Sequence, residues 1–340
     1  MMQSPLPVRD GVNATRLRLP EEGPWDTAMD YMMHRWGHID PQGIEDRFDA
    51  GEIVGEGGVP LSRNTRLEDH TFIWYYRTLP PETRIPVDLS ILHQDEHLLV
   101  VDKPHFLPTT PGGTYIQESA LVRLRNQLDL PDLIPMHRLD RMTAGVLLFS
   151  TNPQTRGKYQ VLFEKRQVQK EYECVSAAHP APGHPAVDFP VVVRNRMTKS
   201  RSYLLAEVVE GEPNAETRIE QLEMLDGGAS AGADGSMAAV PGSATRLARY
   251  RLEPHTGKTH QLRVHMASLG LGIVNDAFYP ELLDKAPDDY GKPLQLLARG
   301  IRFVDPISGS PVEYRSSLQL SETVRPRSRT APENFRNPAA

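Results

Sequence analysis

The chain has 340 residues, of which 39% are hydrophobic, and this predicts two domains or one large domain with an appendage. Its single cysteine, Cys174, excludes an intramolecular disulfide framework and fits a reducing cytosol, so we expect a cytoplasmic protein. The net charge of −6, taken over the whole chain, argues against nucleic-acid binding. A run of about 18 apolar residues, as a membrane-spanning helix needs, is missing, and no membrane partner is expected.

The negative charge is confined to the N-terminal part of the chain. Residues 1–88 carry 15 acidic and nine basic residues, and the rest of the chain carries equal numbers of both. The balanced remainder can therefore hold local basic patches even though the whole chain is acidic.

The N-terminal part has the pattern of a small α+β module. Residues 1–20 are polar and contain prolines, which predicts a flexible leader. The predicted elements are a helix over 25–36 with Asp26 as its N-cap, a helix over 41–50, two short strands around a glycine turn within 51–61, and a strand over 67–77. This order over 21–86 resembles the alpha-L RNA-binding module, without the usual lysine-rich face, so a working module and a degenerate one are both open.

Strands outnumber helices in the remainder of the chain and occur in runs. This predicts an α+β fold with a large mixed, mostly antiparallel sheet and flanking helices. The predicted strands lie within 91–104, at 146–149, 169–177, 203–210, 215–225, 247–252, 296–303 and 312–314, and the helices at 118–128, 153–165 and 259–269. Residues 227–243 are rich in glycine, alanine and serine and predict a flexible loop, and 323–340 predict a disordered tail.

One stretch, 135–150, combines a polar loop with a buried strand. The apolar run 146–149 predicts the strand, and Asp140 precedes it on the loop, where catalytic groups are often held. Arg138 and Arg141 flank Asp140, and nearby positive charge favours the ionised carboxylate. An aspartate in an ordinary surface ion pair would have the same local pattern, so this stretch alone does not distinguish a catalytic Asp140 from a structural one.

Two familiar motifs are incomplete. Gly257-Lys258-Thr259 lacks the glycine that a phosphate-binding loop needs five residues earlier, where Leu252 stands. His255, His260 and His265 are spaced by five, which places successive side chains on different sides of either a helix or a strand. No metal site is predicted.

Three runs, taken together and in order, resemble the RluA-type pseudouridine synthases. They are Val101-Asp102-Lys103-Pro104, His137-Arg138-Leu139-Asp140 and His260-Gln261-Leu262-Arg263-Val264-His265, and the resemblance covers about residues 89–320. It implies a catalytic domain over 87–322 that isomerises uridine to pseudouridine in structured ribosomal or transfer RNA. No redox step is involved, so no cofactor is expected, and we expect a monomer.

The resemblance also assigns roles to individual residues. Asp140 matches the catalytic aspartate, Tyr172 the tyrosine that stacks on the target uracil and assists proton removal, and Arg263 the basic partner of the aspartate. Arg138 matches the arginine that fills the space left by the flipped base. Further RNA contacts are expected from a basic segment and its neighbours, namely Arg194, Arg196, Lys199 and Arg201, with Lys165 and Arg166.

Three departures from the family pattern leave these residues untouched. Ala144 replaces a serine, Lys258 stands where arginine is common, and 271–276 differ from the usual run beside the site, which leaves the substrate open. Whether Asp140 acts as a nucleophile at C1′ or as a base at C2′ is also open. The rival interpretations are an RNA-binding protein without catalysis and a hydrolase that uses Asp140 on a small molecule.

Overall fold

The computed structural model describes residues 4–79, 81–200, 205–229 and 245–323. The chain divides into two compact units, the first formed by Met1–Arg84 with Thr110–Asp132 and the second by Ile85–Thr109 with Leu133–Ala340. The predicted domain boundaries stay a prediction. Apart from their first residues, the predicted loop at 227–243 and the predicted tail at 323–340 lie outside the described residues.

The first unit packs three helices with a two-stranded sheet. Its elements are β1 (Thr15–Arg18), α1 (Ala28–Trp36), α2 (Pro41–Asp49), β2 (Phe72–Tyr75) and α3 (Ala120–Leu128). β1 lies within the stretch that was predicted to be a flexible leader, and it pairs antiparallel with β2. The apolar faces of α1 and α2 close a core around Met32, Phe48 and Ile73.

Two local predictions in this unit are wrong. The N-cap of α1 is Thr27, not Asp26, because Thr27 and Asp30 form a capping box in which each side chain accepts from the other's backbone N–H. Residues 51–61 form no pair of strands. Instead Val54 forms isolated β-bridges to Pro60 and to Trp74, and a short 3-10 turn lies between Val54 and Pro60.

The second unit is dominated by one mixed sheet. Its strands are β3 (Ser90–Gln94), β4 (Leu98–Lys103), β5 (Ile134–Pro135), β6 (Ala144–Ser150), β7 (Gln169–Ala177), β8 (Val191–Lys199), β9 (Ala206–Val209), β10 (Ala215–Ala229), β11 (Thr245–Pro254), β12 (Leu296–Val304) and β13 (Pro311–Arg315). Its helices are α4 (Arg156–Glu164) and α5 (Gln261–Ser268).

The sheet order is β3-β4-β6-β12-β7-β11-β10-β8-β9, with β13 beside β12 and β5 beside β6. Among the described strands only β6 and β12 pair in parallel, which confirms the predicted mixed, mostly antiparallel α+β fold. Every residue of β4 and β6 is buried, as expected of strands whose sequences contain a continuous apolar run. α4 packs on one hydrophobic cluster of this sheet and α5 on another, which contains Cys174.

No helix of the described part of the chain has the length and hydrophobicity that crossing a membrane requires.

Candidate active site

A cleft of about 790 Å³ opens at the middle of the large sheet. Most of its lining comes from the loop 135–143 before β6, the first half of β7, and the turn 254–262 that runs from β11 into α5, and the rest from residues 163–168 at and after the end of α4, from β8 and from β12. These segments are far apart in the sequence and meet because β6, β12, β7 and β11 are neighbours in the sheet. The cleft therefore brings the run 137–140 together with the start of the run 260–265.

Asp140 lies on the loop between β5 and β6, with 34% of its side chain exposed. Thr109 anchors this loop, since its hydroxyl donates to the Leu139 carbonyl at 2.8 Å and accepts from the Leu139 N–H at 3.1 Å. Gly145, two residues into β6, has φ +112, and a side chain there would collide with the backbone of Ala298 on β12. A glycine is needed where the two parallel strands meet, and it sets the direction in which the Asp140 loop leaves the sheet.

Arg263 reaches Asp140 from α5, with 3.9 Å between its Nη1 and Asp140 Oδ2. Its closer partner is Asp276, which it binds with two hydrogen bonds, Nε to Oδ2 at 2.8 Å and Nη2 to Oδ1 at 2.5 Å. Burial disfavours the charged guanidinium, but the hydrogen bonds that it donates to Asp276 and the charges of Asp276 and Asp140 outweigh this and raise the pKa of Arg263. The arginine is therefore a permanent positive charge in a fixed orientation.

Asp276 is a site residue that the sequence analysis did not single out. Its side chain is 1% exposed, and its Oδ1 also accepts backbone N–H groups from Phe278 at 2.8 Å and Tyr279 at 3.2 Å. The only sequence signal was its position in the divergent run 271–276. The structure gives this carboxylate one task, which is to hold Arg263 beside Asp140.

His260 also lines the cleft, and its Nε2 lies 3.9 Å from Asp140 Oδ2. It takes a left-handed backbone conformation with φ +53 immediately before α5, and its Nδ1 is 3.0 Å from the hydroxyl of Tyr279. Burial lowers the pKa of His260, although Asp140 opposes this shift, so the imidazole is neutral near pH 7. The sequence analysis named His260 as a possible metal ligand and as the start of the run 260–265, and it did not place it next to Asp140.

Tyr172 lies on β7 and lines the cleft, partly buried. Burial raises the pKa of its hydroxyl, and the charge of Asp140 raises it further. The phenol is therefore protonated at neutral pH, and its ring offers a flat apolar surface to a bound base.

Lys103 binds backbone carbonyls of the two loops that follow β4 and precede β6, and it is not among the residues that line the cleft. Its ammonium group is fully buried and donates to the carbonyls of Pro104 and Leu107, each at 2.8 Å, and of Arg141 at 3.3 Å. Burial lowers the pKa of Lys103 to about 7, against the charge of Asp140, which raises it.

Arg141 ties the Asp140 loop to a distant segment. Its Nη1 and Nη2 donate to the two carboxylate oxygens of Asp288, both at 2.7 Å, and Nη1 also lies 3.3 Å from the Phe106 carbonyl. The pair is partly buried, with 31% of the Arg141 side chain and 19% of the Asp288 side chain exposed. Arg141 and Arg263 are thus each held by a carboxylate from the segment between α5 and β12.

The predicted basic segment forms strand β8, whose side chains alternate between two faces. Lys199 lines the cleft. Arg194 and Arg196 lie on the other face, exposed, and Arg194 forms an ion pair with Glu216 at 2.8 Å. Arg201 lies outside the described residues.

Arg138 is exposed at the cleft, two residues before Asp140. Further cations line the same cleft, and they are Arg166, Lys170, Lys199 and Lys258. Glu164 is the only carboxylate besides Asp140 among the lining residues that the structure describes. The cleft therefore attracts anions, although the chain as a whole is acidic.

His265, which the sequence analysis considered together with His255 and His260 for a metal site, hydrogen-bonds to other side chains. His265 is buried, and its ring nitrogens face the Thr217 hydroxyl at 2.9 Å and the Asn195 side-chain oxygen at 3.1 Å. Within the described ranges, no group of three or more histidine, cysteine, aspartate or glutamate side chains has the arrangement of a metal site.

The sequence matches known proteins over the region that builds this cleft. Residues 97–268 match the family model described as RNA pseudouridylate synthase. The chain is 32% identical over 231 residues to the dual-specificity RNA pseudouridine synthase RluA of Salmonella typhi, covering 67% of this chain and 92% of that protein. It is 28% identical to an uncharacterized RNA pseudouridine synthase of Synechocystis, covering 74% of this chain and 78% of that protein.

The fold also matches a solved structure. Human RNA pseudouridylate synthase domain containing 1 superposes with a TM-score of 0.50 at 23% sequence identity, over 69% of this chain and 86% of the human chain. At this identity the match supports the fold of the large sheet and says nothing about the substrate.

Proposed function

The chain belongs to the RNA pseudouridylate synthase family, and from this premise we propose that Asp140 is its catalytic residue and that it acts on uridines of ribosomal or transfer RNA. The enzyme isomerises uridine in RNA to pseudouridine. The observation that carries the residue assignment is the position of Asp140, a partly exposed carboxylate in an anion-attracting cleft with Arg263 and His260 each at 3.9 Å.

The reaction breaks the bond between N1 of uracil and C1′ of the ribose, and joins C5 of the same base to C1′. On one route the Asp140 carboxylate bonds to C1′ as the electron pair of the broken bond moves to the base, and C5 later displaces the carboxylate. On the other route Asp140 removes the C2′ proton, uracil leaves, and the proton returns to C2′ when C5 adds to C1′. Both routes require an ionised Asp140, and the fixed guanidinium of Arg263 lies 3.9 Å from its carboxylate.

Both routes end with loss of the C5 proton. The phenol of Tyr172 is protonated at neutral pH, so it acts by orienting a water or by passing a proton on and does not act as a free phenolate. Its ring stacks on the target uracil and keeps the detached base in the cleft while it turns.

The target nucleotide has to leave its stack, which costs a few kcal/mol. Arg138, exposed at the cleft beside Asp140, fills the vacated space. The rim cations Arg166, Lys170, Lys199 and Lys258 bind the neighbouring phosphates. Arg194 and Arg196, on the other face of β8, stay predicted RNA contacts, as does Arg201. A cytoplasmic location and a monomeric state also stay predictions.

Replacing Tyr172 by phenylalanine separates stacking from proton transfer. We expect kcat to fall by about 10²- to 10⁴-fold, because the hydroxyl is lost, with little change in KM, because the ring remains. Tyr172→Leu should lower kcat and also raise KM. Steady-state kinetics of both variants check this, and a Tyr172→Phe enzyme with normal kcat would remove the hydroxyl from the mechanism.

The Arg141–Asp288 pair should act as a positioning pair. Asp288→Asn keeps the size of the side chain but removes the charge that holds Arg141, and we expect kcat to fall about 10- to 100-fold through displacement of the Asp140 loop. KM should change little, and Asp288→Glu should restore most of kcat. If kcat is unchanged in Asp288→Asn, the loop is held without the pair.

The substrate is tested with transcripts of ribosomal and transfer RNA that carry tritium at C5 of uridine. Tritium release from one of the two RNA classes identifies the class, and sequencing for pseudouridine in the same products identifies the nucleotide. Tight RNA binding without any release would instead favour the rival interpretation, an RNA-binding protein without catalysis. Release from other RNAs only would overturn the proposed substrate class.

A further inference from the structure

The acidic N-terminal unit carries a group of exposed arginines on or beside its two-stranded sheet. Five arginines of the unit are neutralised by nearby carboxylates, in the pairs Arg18–Glu21, Arg47–Asp40, Arg63–Asp49, Arg66–Glu68 and Arg123–Glu118. Arg9, Arg16 and Arg77 are exposed and form no ion pair with any residue in the described ranges. All three lie on or beside the two-stranded sheet β1–β2.

Two of these arginines line a cavity of about 230 Å³. The guanidinium of Arg9 lies over the ring of Tyr76 at 3.9 Å, and the Tyr76 hydroxyl donates to the Pro7 carbonyl at 2.5 Å. The ring is therefore held in place and in turn holds Arg9. Arg77 follows Tyr76 directly and lines the same cavity.

The other lining groups suit an anion with hydrogen-bonding oxygens. Asn13, Thr15 and Gln117 contribute neutral polar side chains, and Asp10 is the single carboxylate among the lining residues. A guanidinium stacked on an aromatic ring keeps its N–H donors at its edge, where they can bind phosphate oxygens. Nearby, Arg16 lies over the ring of Phe72 at 4.9 Å and adds a third cation to this surface.

We propose that this cavity, with Arg9 and Arg77 as its main cations, binds a phosphodiester of the RNA substrate. The proposal rests on the function proposed above, because it takes RNA as the polyanion. It gives the N-terminal unit an RNA contact that is built from arginine and aromatic residues and needs no lysine-rich face. The phosphate of a free nucleotide would fit the same groups, and the experiment distinguishes a free nucleotide from RNA.

The experiment measures binding of a long fluorescent substrate RNA to the full chain by anisotropy, over a range of salt concentrations. All proteins carry Asp140→Asn, so that binding is measured without turnover. The double variant Arg9→Gln/Arg77→Gln should raise Kd about tenfold and reduce the slope of log Kd against log salt by between one and two. Asp10→Asn, which removes the one carboxylate, should lower Kd.

The matched control is Arg18→Gln/Arg66→Gln, which removes the same charge from two exposed, ion-paired arginines of the same unit. Its Kd and salt slope should equal those of the parent protein. Equal losses in both double variants, or no loss in Arg9→Gln/Arg77→Gln, would overturn the proposal. Displacement of the RNA by micromolar uridine monophosphate from the parent but not from Arg9→Gln/Arg77→Gln would assign the cavity to a free nucleotide instead.

This readout is independent of catalysis. Absence of tritium release by the wild-type protein would count against the proposed reaction site, whereas equal RNA binding by parent and Arg9→Gln/Arg77→Gln would count only against the cavity. Circular dichroism of each variant verifies that the unit is folded, and Arg9→Lys/Arg77→Lys, which keeps the charge, should retain most of the affinity.

Discussion

Asp140→Asn should lower pseudouridine formation by about 10⁴-fold or more, with RNA binding retained. Asparagine has nearly the size of aspartate, but it is neither a useful nucleophile at C1′ nor a base at C2′, so both open routes fail. The lost charge also leaves Arg263 and His260 without the carboxylate that each faces at 3.9 Å. Tritium release from C5 of uridine measures the activity, and anisotropy with the same RNA measures binding.

The matched control for Asp140→Asn is Glu164→Gln. Glu164 is the other carboxylate on the described lining of the cleft, and it is exposed at the end of α4. Its replacement should leave kcat within about threefold of wild type, since removing one exposed charge changes local energies by less than about 1 kcal/mol. A fully active Asp140→Asn enzyme, or an inactive Glu164→Gln enzyme, would move the catalytic role away from Asp140.

Asp276→Ala should lower the free energy of unfolding by about 3–5 kcal/mol. The variant leaves the Arg263 guanidinium buried without its bidentate partner, and the two side chains are only 3% and 1% exposed. It also frees the N–H groups of Phe278 and Tyr279. Urea denaturation followed by circular dichroism measures the loss, and kcat should fall with it because Arg263 loses its orientation.

Two further variants test whether the loss of stability comes from the buried, unpaired charge of Arg263. Asp288→Asn breaks a partly exposed arginine pair of the same kind, and its unfolding free energy should fall by much less. Arg263→Met/Asp276→Leu removes both charges, so it should regain much of the stability lost in Asp276→Ala and yet remain inactive. If Asp276→Ala is as stable as wild type, the bidentate pair does not support the site in solution.

The elements that the sequence predicted well are those with a strong local signal. The continuous apolar runs of β4 and β6 and the helical spacing of α1 identify these elements without knowledge of their neighbours. The two strands expected within 51–61 failed because glycine-rich segments also form turns, and here Val54 makes only isolated bridges, to Pro60 and to Trp74. The N-cap was misplaced by one residue because Asp26 and Thr27 are both good caps, and the reciprocal bonds to Asp30 decide between them.

The site could be predicted where a motif carries it and not where long-range contacts do. Asp140 and Arg263 stand in recognisable runs, whereas Asp276 and Asp288 are acidic residues in an irregular segment and have no distinguishing local pattern. Their importance follows from which arginine each one meets, and that depends on the order of strands in the sheet. For the same reason Lys199 could not be separated from Arg194 and Arg196 until the strand showed which face each one occupies.

The segment from Asp276 to Asp288 supplies both carboxylates that fix the arginines around Asp140. The number of residues between Asp276 and Asp288 is therefore constrained, whereas most surface loops tolerate insertions. A residue added or removed between the two carboxylates would force one arginine to give up its partner, while the same change beyond Asp288 would not. Grafting this segment between related enzymes should succeed only when the number of residues between the two aspartates is kept.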